Sequence, residues 1–87
     1  MDYYVYMLKS KGKNSVTYVG YTNNLKKRIS LHNNNKGAKF TKGRKWKLIY
    51  KEKHKSKGEA ISREYYIKNN RNFRNKIKNE NFNSVTL

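Results

Sequence analysis

Cysteine is absent from this 87-residue chain, which excludes a disulfide scaffold and a thiolate zinc ribbon. No apolar run approaches the ~20 residues that a membrane-spanning helix needs. The opening Met1-Asp2-Tyr3-Tyr4 has neither the basic start nor the apolar stretch of a secretory signal. No signal peptide is therefore expected, and a cytoplasmic protein is the default. Acidic residues are the scarcest charged class: 5 Asp and Glu stand against 22 Lys and Arg, a net charge of +17. Like charges at that density repel in a compact chain, and an anionic partner relieves the repulsion. Nucleic acid fits better than a membrane surface, because binding phosphates releases condensed counterions.

What is present is aromatic. The chain holds eight tyrosines and 14% aromatic residues, too many for a disordered basic tail. Its length allows one domain, placed over residues 1–80 with a frayed tail at 81–87. Residues 3–8 and 16–20 are β-branched and aromatic, and a polar turn separates them as in a long-loop hairpin. Thr22 or Asn23 can cap a helix over residues 24–33, with Leu25 and Ile29 four apart on one face. The basic segment 36–45 reads as a loop. Trp46-Lys47-Leu48-Ile49-Tyr50 reads as a third strand with Trp46, Leu48 and Tyr50 on one face. Ser56-Lys57-Gly58-Glu59 fits a capping box opening a helix over 57–69, its stripe including Ala60, Ile61 and Ile67. A shorter helix near 72–79 would bury Phe73 and Ile77. The order β-β-α-β-α-α predicts an α+β domain: a three-stranded antiparallel sheet flanked by helices.

With so few carboxylates the search for chemistry is short. Asp2 is terminal, Glu52 ends the third strand, Glu80 lies near the tail and Glu59 serves the helix start. Glu64 falls four after Ala60 and three before Ile67, so it points with the apolar stripe toward the sheet. A carboxylate there is costly unless it meets a cation, either a basic side chain or a metal. Arg28 and His32, spaced i and i+4, share a helix face; taken alone the pair reads more readily as a solvated basic surface than as a phosphate-facing pair. Tyr6 and Tyr18 can face the same side of a hairpin. Lys26, Lys27, Lys36, Lys39, Lys42, Arg44 and Lys45 offer charge for a nucleic-acid backbone, and Phe40 offers a stacking platform. His54 is placed in a basic surface loop.

These features also carry a resemblance. Tyr4-Val5-Tyr6, then Tyr18-Val19-Gly20, then Arg28, His32 and Glu64, in that order and spacing, resemble the GIY-YIG nuclease superfamily over residues 2–78. The likeness is to its small stand-alone members and to the UvrC N-terminal domain. The first triplet departs from the pattern, with Tyr4 for glycine and Val5 for isoleucine. Phe40 stands where many members carry tyrosine, and Thr22 replaces the UvrC-like lysine. The resemblance implies a single divalent metal, usually magnesium with manganese as the alternative, held by Glu64. It implies Tyr6, Tyr18, Arg28, His32 and Glu64 as the catalytic set. The expected activity is a metal-dependent endonuclease on DNA, including branched or damaged structures, with a protein partner supplying any targeting. The alternatives are a basic nucleic-acid-binding module with little or no cutting, and an RNA- or ribosome-associated protein.

Overall fold

The computed structural model describes residues 1–80; the tail expected at 81–87 lies outside them. Strands β1 (Tyr3–Ser10), β2 (Thr17–Thr22) and β3 (Trp46–His54) and helices α1 (Leu25–Asn33), α2 (Lys57–Lys68) and α3 (Arg71–Glu80) follow one another in the expected order, β1-β2-α1-β3-α2-α3. A short 3-10 turn, Lys39–Thr41, interrupts the basic loop. The sheet runs β2-β1-β3 and both pairings are antiparallel.

β1 is the central strand, and helices cover both of its faces. That explains its unbroken apolar run, since Val5, Tyr6, Met7 and Leu8 are all buried. Val5 and Met7 join Val19, Ile49, Ala60 and Ile67 on one face, with Phe73 and Ile77 packed against them. Tyr6 and Leu8 join Leu25, Ile29, Trp46 and Leu48 on the other. Each fully buried Val, Leu or Ile contributes roughly 1.5–3 kcal/mol by leaving water. The expectation that Ile61 belongs to the α2 stripe is corrected: it is 43% exposed, and Ala60 and Ile67 carry the burial.

Four local features differ from expectation. The third strand runs four residues further, to His54, so Glu52 lies within it. Trp46, Leu48 and Tyr50 do not share a face. Leu8 pairs with Leu48 but Met7 with Tyr50, leaving Ile49 as the extra residue of a β-bulge. The bulge turns Tyr50 over to the α2–α3 side. The cap of α1 is Asn24, whose side chain accepts from the Lys27 amide at 3.1 Å, while Thr22 accepts from the Asn24 amide at 3.1 Å. Ser56 caps α2 by accepting from the Glu59 amide at 3.1 Å. The Glu59 carboxylate lies instead 3.8 Å from His54 Nδ1, so only the forward half of the capping box forms.

Candidate active site

Tyr6 sits at the middle of β1 opposite Gly20 of β2. A Cβ at Gly20 would lie 2.5 Å from the Tyr6 hydroxyl oxygen and 3.1 Å from the Tyr18 ring. Glycine is needed here for space, because the Tyr6 side chain lies across it. Tyr18, two residues earlier in β2, faces the same way, its ring centroid 6.4 Å from that of Tyr6. The second triplet therefore combines an inward tyrosine with the gap that admits the first.

Helix α1 lies over this face and delivers Arg28 and His32 one turn apart. His32 is fully buried. Its Nε2 lies 2.8 Å from the Tyr6 hydroxyl and its Nδ1 lies 2.9 Å from Thr41 Oγ1. Burial, helped by the Arg28 charge, pulls the imidazole down to about 4, so it is neutral at physiological pH. Burial pushes the Tyr6 phenol up to about 12; Tyr18 and Glu64 add to the shift and the Arg28 hydrogen bond opposes it. Burial also works against the Arg28 charge, but hydrogen bonds to Tyr6 and Tyr18 outweigh it and hold the guanidinium above its ordinary value. The solvated-surface reading of the Arg28–His32 face is thereby overturned.

Glu64 reaches the group from another direction. It belongs to α2, which packs against β1 and the edge strand β2 from the Val5–Met7 side. Its side chain is 18% exposed, with an ion pair to Lys68 at 3.4 Å, and its charge acts on Tyr6. Tyr6, Tyr18, Arg28 and His32 thus share one face, and Glu64 joins them from the helix on the opposite face. Among the described residues no three His, Cys, Asp or Glu side chains gather as a metal cage. A lone carboxylate suits a hard cation that keeps most of its waters, as magnesium does, and does not suit zinc.

The basic residues expected at the nucleic-acid surface, Lys26, Lys27, Lys36, Lys39, Lys42, Arg44 and Lys45, are all exposed. Lys45 Nζ donates to the Asn33 carbonyl at 2.9 Å, which ties the loop's end to α1. Phe40 is 58% exposed and stacks on Tyr18 with centroids 6.2 Å apart and planes inclined by 21°. It stands on the 3-10 turn at the mouth of the site.

Two features escaped the sequence reading. Thr41 is buried against His32, and nothing in the periodicity of a basic loop marks it. His54 is not a surface loop residue: it ends β3, and its Nε2 lies 2.9 Å from Glu52 Oε1. Arg63 Nε donates to the same carboxylate at 2.7 Å, and the Tyr50 hydroxyl donates to Glu52 Oε2. A signal for this cluster was present, since Tyr50, Glu52 and His54 alternate along one strand face.

Similarity to known proteins agrees with this fold. The chain is 58% identical to a UPF0213 protein of Clostridium perfringens over 66 residues, covering 75% of this chain and 69% of that protein. It is 52% identical to one from Staphylococcus haemolyticus over 67 residues, covering 76% and 79% respectively. The solution NMR structure of a UPF0213 protein from Bacillus halodurans superposes with a TM-score of 0.55 at 34% identity, covering 94% of this chain and 88% of that one. The family model described as the GIY-YIG catalytic domain matches residues 2–78, and the chain belongs to the GIY-YIG family.

Proposed function

We propose that this protein is a divalent-metal-dependent endonuclease that hydrolyses phosphodiester bonds in DNA, branched or damaged structures included. The observation that carries the proposal is the electrostatic unit of Tyr6, Tyr18, Arg28 and Glu64, placed beside an exposed basic loop. Glu64 is the residue to hold magnesium or manganese; the bound ion would neutralise charge developing on the scissile phosphate. Arg28 is the chain's own counter-charge, a planar fork suited to phosphate oxygens. Tyr6 keeps its proton at neutral pH and offers its oxygen to orient the attacking water. Tyr18 is the less buried of the pair and bonds to Arg28, and it is the candidate to accept the proton of the attacking water. Lys26, Lys27 and the loop from Lys36 to Lys45 track the backbone, and Phe40 gives a base a face to stack on.

One observation favours a second reading. Lys68 already faces the Glu64 carboxylate, as it would in a nucleic-acid-binding module that does not cut. A pair with so exposed a lysine contributes little stability, so a cation can displace Lys68. A cleavage assay on plasmid and branched DNA with magnesium, manganese or EDTA separates the two. Cutting with either metal and none with EDTA is expected. Tight, salt-sensitive binding with no cutting under any divalent ion would leave the binding module.

A further inference from the structure

We infer that Thr41 is a positioning residue of this site: it accepts the Nδ1 proton of His32 and thereby fixes the imidazole tautomer that draws the Tyr6 hydroxyl proton inward. The assignment follows from counting protons. The Thr41 hydroxyl has one hydrogen, and at 2.7 Å it is donated to the Ala38 carbonyl, which can only accept. The 2.9 Å contact between Thr41 Oγ1 and His32 Nδ1 therefore needs its hydrogen on Nδ1. A neutral imidazole protonated there presents a bare lone pair at Nε2. The 2.8 Å contact between Nε2 and the Tyr6 hydroxyl then takes its hydrogen from Tyr6. The result is one directed chain, from Tyr6 through His32 and Thr41 to the Ala38 carbonyl.

The direction matters at its open end. With its hydrogen committed to Nε2, the Tyr6 oxygen turns lone pairs toward Arg28, in keeping with the hydrogen bond between those two side chains. The opposite tautomer would aim the Nε2 hydrogen at the Tyr6 oxygen, in competition with Arg28 and with a water. It would also set the Nδ1 lone pair against the lone pairs of Thr41. The far end of the chain is rigid. The Thr41 amide donates to Ala38 at 3.0 Å, and Trp46 Nε1 donates to the Thr41 carbonyl at 3.0 Å. Gly37 presses on the ring, since a Cβ there would come within 2.4 Å of Nδ1. Thr41 touches no substrate. Its effect is transmitted through His32 to Tyr6, as an orienting partner sets the tautomer of a working histidine.

The role in cleavage rests on the nuclease reading; the tautomer does not. The test is long-range ¹⁵N NMR of the full chain at neutral pH. The chain has two histidines, and a His54→Gln variant assigns them. His32 is expected to show a protonated Nδ1 and a bare Nε2. Thr41→Val keeps the volume but removes the acceptor; it should shift the signals toward the Nε2-protonated form and slow cutting by about 100-fold or more. Thr41→Ser should restore both. An Nε2-protonated His32 in the wild type overturns the assignment, whether or not the valine variant folds. A valine variant with an unchanged tautomer and wild-type cutting also overturns it. If the tautomer responds as expected but no form of the protein cuts, the nuclease reading fails while the proton chain stands.

Discussion

Tyr6, His32 and Arg28, with the Glu64 charge acting on Tyr6, make one polar group; Tyr50, His54, Arg63 and Glu52 make another from the same four residue types. Their wiring differs. In the second cluster the carboxylate is the hub: tyrosine, histidine and arginine all bond to Glu52. Burial works against the Glu52 charge, but those three donors outweigh it and hold the carboxyl below the usual range. The Arg63 guanidinium also lies 5.0 Å from the Tyr66 ring and 5.2 Å from that of Phe73, joining β3, α2 and α3. A saturated carboxylate of this kind is structural. In the first cluster tyrosine and histidine bond to each other, arginine turns to the tyrosines, and Glu64 pairs with a half-exposed lysine. Identical side chains thus make a strut in one place and a candidate reaction centre in the other. What separates them is whether the carboxylate or the tyrosine takes the hydrogen bonds.

The largest contrast is expected when each carboxylate is removed in turn and cutting is measured. Glu64→Ala should abolish cleavage, since losing the metal ligand removes several kcal/mol of transition-state stabilisation. DNA binding should be unchanged or tighter, because a negative charge leaves a basic surface. Wild-type cutting by Glu64→Ala, with the variant folded by circular dichroism, would refute Glu64 as the metal ligand.

Acid should strike the first cluster through His32. Its ordinary value is 6.5 and its folded value is about 4. Between those values the unfolded chain binds a proton that the native ring refuses, so stability falls as the pH drops through that window. The full loss is about 3 kcal/mol below both values. NMR titration of the ring should place the His32 midpoint near 4, and denaturant melts should weaken from pH 7 downward. A ring that titrates near its ordinary value would mean that water reaches it.

Breaking the second cluster should cost stability and leave chemistry alone. Glu52→Gln leaves three donors facing a neutral amide, a loss of about 1–3 kcal/mol. For a domain of this size each kcal/mol lowers Tm by roughly 4–8 °C. Thermal melts measure the first effect. A large loss of cutting at a temperature where the variant stays folded would show that the strut also serves the site.

Much of the fold and part of the candidate site were legible in the sequence. Element order, the paired inward tyrosines and the pointing of Glu64 follow from period-2 and period-3.6 patterns, which register only local geometry. The bulge at Ile49 is a matter of strand register between β1 and β3, and Trp46-Lys47-Leu48-Ile49-Tyr50 alone carries no trace of it. Missing the bulge put Tyr50 on the wrong face, and ending the apolar strand pattern at Tyr50 passed over the alternation of Tyr50, Glu52 and His54. Thr41 was invisible for a different reason: a loop has no period, and its value lies in a bond to a residue nine positions earlier. That Glu64 would arrive from the far side of the sheet was equally unreadable, because spacing aims a side chain at the sheet but does not say which face its helix covers.

Glu59→Ala should have the smallest effect and sharpen the comparison most. Glu59 shares helix α2 with Glu64 and touches the second cluster through His54, so it is the carboxylate placed between the two. Its side chain is 62% exposed, and its 3.8 Å contact with His54 is long. Exposed pairs of this geometry contribute about 0–1 kcal/mol. The helix cap survives, because Ser56 accepts from the residue 59 amide rather than from the carboxylate. Glu59→Ala should therefore melt within a few degrees of wild type and cut at the same rate. If it cuts as poorly as Glu64→Ala, general loss of acidity along α2 accounts for both variants, and Glu64 loses its claim to the metal. If it melts as low as Glu52→Gln, the strut extends to Glu59, and the line between the two clusters moves toward the site.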